Sequence, residues 1–178
     1  MVSLKHAAPY LICALIVAAF AWYYFIFRAF PVSIGFTNAV VAFSAVIVLG
    51  FSFILGPLAK FHNFFRAHLE YRKDFGLIGF SLASLHVLLV VPLLIQEGGE
   101  VTLADVVSIA VAAVAFMIFI LMALTSTSKW MTTLGYENWK GLQRTGYIAI
   151  ALLFAHMALL EQGILFGRLT GQIALGFI

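Results

Sequence analysis

The sequence predicts an all-α integral membrane protein, a single domain built as a bundle of five transmembrane helices with a short apolar C-terminal segment. Hydrophobic residues make up 64% of the 178 positions and charged residues only 10%, whereas a soluble domain carries roughly 25% charge. The mean hydropathy is +1.11. The apolar residues also form continuous runs of about 20, the length that crosses a bilayer as a helix.

Five runs have this length, and they cover residues 7–27, 34–55, 75–94, 103–124 and 143–161. Lipid offers backbone groups no hydrogen-bonding partner, so each run is predicted to be a helix. The first run could instead be a signal peptide, but its length and aromatic end favour a retained helix. Residues 163–178 are apolar but short, and they could form a half-helix, an interfacial segment or a flexible end.

Loop charges predict the orientation of the chain in the membrane. The loops after the second and fourth runs are basic through Lys60, Arg66, Arg72, Lys73, Lys129, Lys140 and Arg144, whereas the loop after the third run holds only acidic charges. The positive-inside rule then places the N-terminus in the cytoplasm of a bacterial inner membrane and the C-terminus in the periplasm. Arg28 alone counts against this orientation.

Composition also excludes several classes of function. Cys13 is the only cysteine, which excludes an intrachain disulfide, a cysteine-held iron–sulfur cluster and a cysteine-rich zinc site. A net charge of +3 gives no sign of nucleic-acid binding. The expected surroundings are membrane lipid, because of the apolar composition. No glycine-rich phosphate loop and no internal repeat are evident.

Two histidines lie well inside the predicted spans, His86 in the third and His156 in the fifth. Ionisable groups at that depth are costly and therefore functional candidates. At about 1.5 Å per residue, both lie roughly 16–20 Å from the inner end of their helix. Two neutral imidazoles at one depth could ligate a single haem b, the metal centre that this pattern predicts.

Small residues precede both histidines on the same helix face. Gly79 and Ala83 lie seven and three positions before His86, and Ala149 lies seven before His156, so all three are predicted to make room for the porphyrin. Small residues also serve ordinary helix packing, and each histidine could be a structural residue or part of a proton path. The remaining histidines, at membrane edges or in loops, are weaker candidates: His6, His62 and His68.

Several short motifs follow one another in a characteristic order. They are Gly56-Pro57-Leu58, Arg72-Lys73, Phe75-Gly76-Leu77-Ile78-Gly79-Phe80, Ser84-Leu85-His86, Ala123-Leu124-Thr125-Ser126, Leu134-Gly135, Trp139, Leu142-Gln143-Arg144, Tyr147 and His156. Over about residues 35–161 this series resembles the ferric-reductase-like transmembrane domain family. The likeness is closest to the branch of haem-binding membrane subunits of bacterial methionine sulfoxide reductase systems.

The resemblance implies that His86 and His156 ligate b-type haem. Where family members carry further ligands near the inner leaflet, this chain has Arg72 and Gln143. Arginine is not a haem ligand and glutamine is a poor one, so a single haem in the outer half of the membrane is expected. The family usually has a sixth helix, for which the tail is too short.

The resemblance further implies a b-type cytochrome subunit that carries electrons for an oxidoreductase system. Because no FAD or NAD(P)H domain follows, the donor would be quinol, a bound FMN or FAD, or a reductase partner, and the acceptor would lie at the outer face. Arg72, Lys73, Gln143 and Arg144 would line the inner site, although the three cations could instead be membrane anchors. Arg28 and Arg168 could pair with haem propionates.

Two other functions remain open at this point. The chain could be a haem-less anchor or scaffold subunit of a larger complex. It could also be a small transporter or proton channel with both intramembrane histidines in its path.

Overall fold

The computed structural model describes residues 4–97 and 103–160, and all regular structure in those ranges is helical. In chain order the helices are α1 (Leu4–Ala21), a π-helical turn (Trp22–Phe27), α2 (Ile34–Leu58), α3 (Asn63–Ala67), α4 (Tyr71–Glu97), α5 (Leu103–Leu124), α6 (Ser128–Leu134), α7 (Tyr136–Arg144) and α8 (Gly146–Leu159). The predicted all-α class is confirmed.

Within the described residues, five helical stretches are long and apolar enough to cross a membrane, as the sequence predicts. They are Ala7–Phe27, Ile34–Leu58, Tyr71–Leu93, Asp105–Leu124 and Tyr136–Leu159. The third helix begins earlier than predicted, and the fifth stretch begins at Tyr136 and is interrupted at Thr145 between α7 and α8. The predicted tail, residues 163–178, lies outside the described residues.

The chain divides into two compact units, residues 1–98 and 99–178, and each is described by itself. The first contains α1, α2, α3 and α4, and the second contains α5, α6, α7 and α8. The single domain expected from the length stays a prediction.

In the first unit α2 and α4 pack antiparallel at close range. The Ser52 hydroxyl donates to the Arg72 carbonyl over 2.8 Å, and Leu49 is almost fully buried. A Cβ added to Gly79 would lie 2.8 Å from Leu49 Cγ and 3.0 Å from the Leu49 backbone nitrogen. Only glycine permits this approach, so Gly79 fixes how closely α4 lies against α2. The free Cys13 thiol is buried in the adjoining core.

The turn that ends the first span is unusually aromatic. The backbone N–H of Arg28 donates to the Tyr23 carbonyl over 2.9 Å, which is the wide hydrogen-bonding pattern of a π-helix. Ala29 then adopts φ 51°, a left-handed conformation that ends the helix. Ser33 caps α2 by accepting a hydrogen bond from the backbone N–H of Phe36.

In the second unit α5 runs antiparallel to α7 and α8. The Trp139 indole donates to the Thr125 carbonyl over 2.8 Å, and the Gln143 amide donates to the Met122 carbonyl over 3.5 Å. Thr125 also ends α5, where its hydroxyl donates to the Leu121 carbonyl. Trp139 therefore ties the amphipathic α7 to the C-terminal end of α5.

Replacing Trp139 with phenylalanine should destabilise the protein by about 1 kcal/mol, because the Thr125 carbonyl loses its indole donor. The measurement is the unfolding free energy of the detergent-solubilised protein. Trp130, which is 40% exposed on α6, provides the matched control, and W130F should change stability by less than about 0.5 kcal/mol. Equal losses in the two variants would contradict the role given to the indole hydrogen bond.

Candidate functional site

His86 is held by a polar side chain of the neighbouring helix. It lies on α4 in the third candidate span and is half-buried. Its Nδ1 atom lies 2.8 Å from Oδ1 of Asn38 on α2. An amide oxygen only accepts hydrogen bonds, so Nδ1 carries the ring proton. The Nε2 atom of this neutral tautomer then holds the lone pair that a metal would use.

His156 has the same tautomer through a different partner. It lies on α8 and is half-buried. Its Nδ1 atom lies 3.0 Å from the Ser108 carbonyl oxygen and 2.8 Å from the Ser108 hydroxyl. A carbonyl oxygen only accepts, so Nδ1 again carries the proton. The fully buried Ser108 hydroxyl in turn donates to the His156 carbonyl over 3.2 Å.

The two polar pairs correspond in sequence position. Asn38 precedes His86 by 48 residues, and Ser108 precedes His156 by 48 residues, so the second pair follows the first at a constant offset of 70. The offset also relates two glycines, at positions 76 and 146, and the small residues at positions 79 and 149. No repeat is evident in the sequence alone because most of the other positions related by this offset differ.

Sequence reasoning missed both partners of the histidines. Asn38 and Ser108 are polar residues within apolar runs, and this polarity was the signal that the sequence offered. Their importance depends on which residue of α4 or α8 they meet, and this register cannot be read from either run alone.

The predicted porphyrin-facing residues differ in how deeply they are buried. Gly79 is buried against Leu49, Ala83 is half-buried on α4, and Ala149 is fully buried in the second unit. Helix packing is therefore one reason for a small residue at position 79. A cofactor-facing role of the three stays a prediction.

The predicted inner-site residues lie at helix ends. Arg72 is in the first turn of α4 in the first unit, whereas Gln143 and Arg144 end α7 in the second. Gln143 is half-buried and Arg144 is exposed. Their binding of a flavin or quinone stays a prediction.

The remaining candidates are the two arginines predicted to pair with haem propionates and the three weaker histidines. The Arg28 guanidinium lies 5.1 Å from the centre of the Phe30 ring, while Arg168 and the side chain of His6 lie outside the described residues. His62 accepts a hydrogen bond from the Phe64 backbone N–H, and His68 lies 2.6 Å from the Phe64 carbonyl. Both of these loop histidines make local contacts.

Comparison with known proteins identifies one family and two similar proteins. The sequence model of the family described as "Ferric reductase like transmembrane component" matches residues 41–154. The chain is 30% identical over 133 residues to magnetosome protein MamZ of Magnetospirillum gryphiswaldense, covering 71% of this chain and 20% of MamZ.

A second similarity involves a named haem protein. The chain is 30% identical over 95 residues to the protein-methionine-sulfoxide reductase heme-binding subunit MsrQ of Caulobacter vibrioides, covering 52% of this chain and 45% of MsrQ. The chain therefore spans less than half the length of either relative. The family match and the similarity to MsrQ fit the resemblance carried by the sequence motifs.

Proposed function

Because the chain belongs to the ferric-reductase-like transmembrane family, we propose that it is a b-type cytochrome subunit that carries electrons across a membrane through one haem. His86 and His156 are the proposed axial ligands. Haem iron accepts neutral imidazole nitrogens in this role, and a relative 30% identical to this chain is named as a heme-binding subunit.

The observation that carries this proposal is the shared hydrogen-bonding pattern of the two intramembrane histidines. In each, Nδ1 is engaged by an acceptor, Asn38 Oδ1 or the Ser108 carbonyl. Metal-ligating histidines almost always donate their second ring N–H in this way, which fixes the tautomer and the ring orientation. A purely structural histidine also needs a hydrogen bond. Nothing in that role, however, requires two such histidines to use the same ring nitrogen.

The residues around the haem would supply ligation and a low-dielectric sheath, while the haem itself supplies one-electron chemistry. Electrons would enter on the cytoplasmic side from quinol, a bound FMN or FAD, or a reductase partner, with Arg72, Gln143 and Arg144 lining that site. They would leave to an acceptor protein at the outer face. The likeness to MsrQ favours an oxidoreductase as that acceptor.

A single haem is proposed because the two inner positions are unsuited to ligating a second one. Arg72 stands at one and Gln143 at the other; arginine is not a haem ligand and glutamine is a poor one. The proposed orientation has the N-terminus in the cytoplasm of a bacterial inner membrane, as the basic loops predict.

The test is an optical spectrum of the protein purified from haem-replete cells. We expect a reduced-minus-oxidised difference spectrum of a low-spin b-type haem, and a pyridine haemochrome assay that gives one haem per chain. A ratio of two would contradict the single site. A colourless protein with a stoichiometric partner would refute the proposal and indicate the anchor subunit instead.

A further inference from the structure

The two candidate ligands are held by chemically different acceptors. His86 meets the side-chain oxygen of Asn38, whereas His156 meets both the hydroxyl and the main-chain carbonyl of Ser108. A carbonyl of the backbone is present whatever side chain stands at position 108. The hydrogen bond of His86 therefore depends on the side chain at position 38, whereas the main chain at position 108 supplies an acceptor to His156.

This difference matters because the acceptor controls the basicity of the ligand. A stronger acceptor at Nδ1–H draws the proton away from the ring and makes Nε2 more electron-donating. A more electron-donating ligand stabilises oxidised over reduced iron, and second-shell hydrogen bonds of this kind are one means by which proteins tune haem potentials.

We propose that Asn38 is a positioning residue that orients the His86 imidazole and sets the reduction potential of the haem. This inference rests on the proposed ligation by His86. Asn38 is suited to the task because it is half-buried on α2, within a helix stretch that contacts α4 along its length. Its short side chain reaches the ring directly, and its amide is a neutral acceptor of intermediate strength.

The experiment is a potentiometric titration of the purified full-length protein and two variants. Asn38→Leu keeps the branched shape of the side chain but removes the acceptor, so it should raise the potential. Asn38→Asp supplies a stronger, charged acceptor and should lower it. We expect each change to alter the reduced-to-oxidised equilibrium by about tenfold, which corresponds to about 59 mV for one electron.

One control separates the hydrogen bond from the effect of an added charge. Thr37→Asp adds a charge at nearly the same depth, but 100° around α2 from Asn38, and should lower the potential less than Asn38→Asp. Electron paramagnetic resonance of the oxidised haem provides a second readout, because its g-values should change in Asn38→Asp and not in Thr37→Asp.

The outcomes distinguish this inference from the proposed function. If the wild-type protein binds no haem, the proposed function itself fails. If the wild type binds haem and both Asn38 variants keep its potential, or shift it in the same direction, only the role of Asn38 is refuted. If Asn38→Leu does not fold, Asn38→Asp decides alone: a lowered potential with altered g-values supports the inference, and any other result overturns it.

Discussion

Replacing His86 or His156 with alanine is expected to reduce the bound haem by at least tenfold. Either change removes one of the two proposed axial nitrogens and leaves its hydrogen-bonding partner, Asn38 or Ser108, without the imidazole it now contacts. The measurement is the pyridine haemochrome content of each purified variant relative to wild type. The α-band of the reduced-minus-oxidised spectrum should disappear with it.

Matched controls come from the loop histidines. His62→Ala and His68→Ala remove imidazoles whose described hydrogen bonds are local, to the backbone of Phe64. Both variants should keep a full complement of haem. Since a misfolded variant would also lose haem, the unfolding profile of each alanine variant is needed, and added imidazole should restore part of the absorption. Retention of haem in His86→Ala, or its loss in His68→Ala, would contradict the proposed ligand pair.

The sequence singles out the two histidines as candidate ligands because that inference depends on the energetic cost of an ionisable group in the membrane and not on packing. An ionisable group inside an apolar span is costly, so its presence is informative wherever its neighbours lie. Asn38 and Ser108 are neutral polar residues and cost less to bury than an ionisable group. Many such residues simply form a hydrogen bond with a backbone carbonyl of their own helix. The Ser44 hydroxyl does this by donating to the Val40 carbonyl. Only the register between helices separates the two cases.

The helix boundaries also separate into those that composition predicts and those that depend on a tertiary contact. The spans were predictable because apolar composition alone identifies them. The start of the fifth stretch at Tyr136 was not, since Glu137, Asn138 and Lys140 lower its hydropathy. What extends the helical stretch is a tertiary contact, the hydrogen bond from the Trp139 indole to the Thr125 carbonyl. That contact joins positions that appear unrelated in the sequence.

Gly79 is the residue at which the sequence and the structure offer two different explanations. The sequence predicted that it makes room for a porphyrin, and the structure gives it a packing partner in Leu49. Gly79→Ala should destabilise the protein by about 1–3 kcal/mol, because the new Cβ would overlap with Leu49 and with its backbone nitrogen. Gly50→Ala is the control, since a Cβ there meets nothing within 4 Å, and it should be neutral or stabilising by up to about 1 kcal/mol.

A double variant separates the two explanations for Gly79. Shortening Leu49 to alanine removes Cγ and Cδ2 but leaves the backbone nitrogen in place, so Gly79→Ala should cost at least about 1 kcal/mol less in the Leu49→Ala background than alone. If Gly79 serves packing only, haem content should follow stability across this cycle. If it also borders the porphyrin, haem should remain low in the double variant even where stability recovers. An unchanged cost of Gly79→Ala in both backgrounds would contradict the contact with Leu49 as its cause.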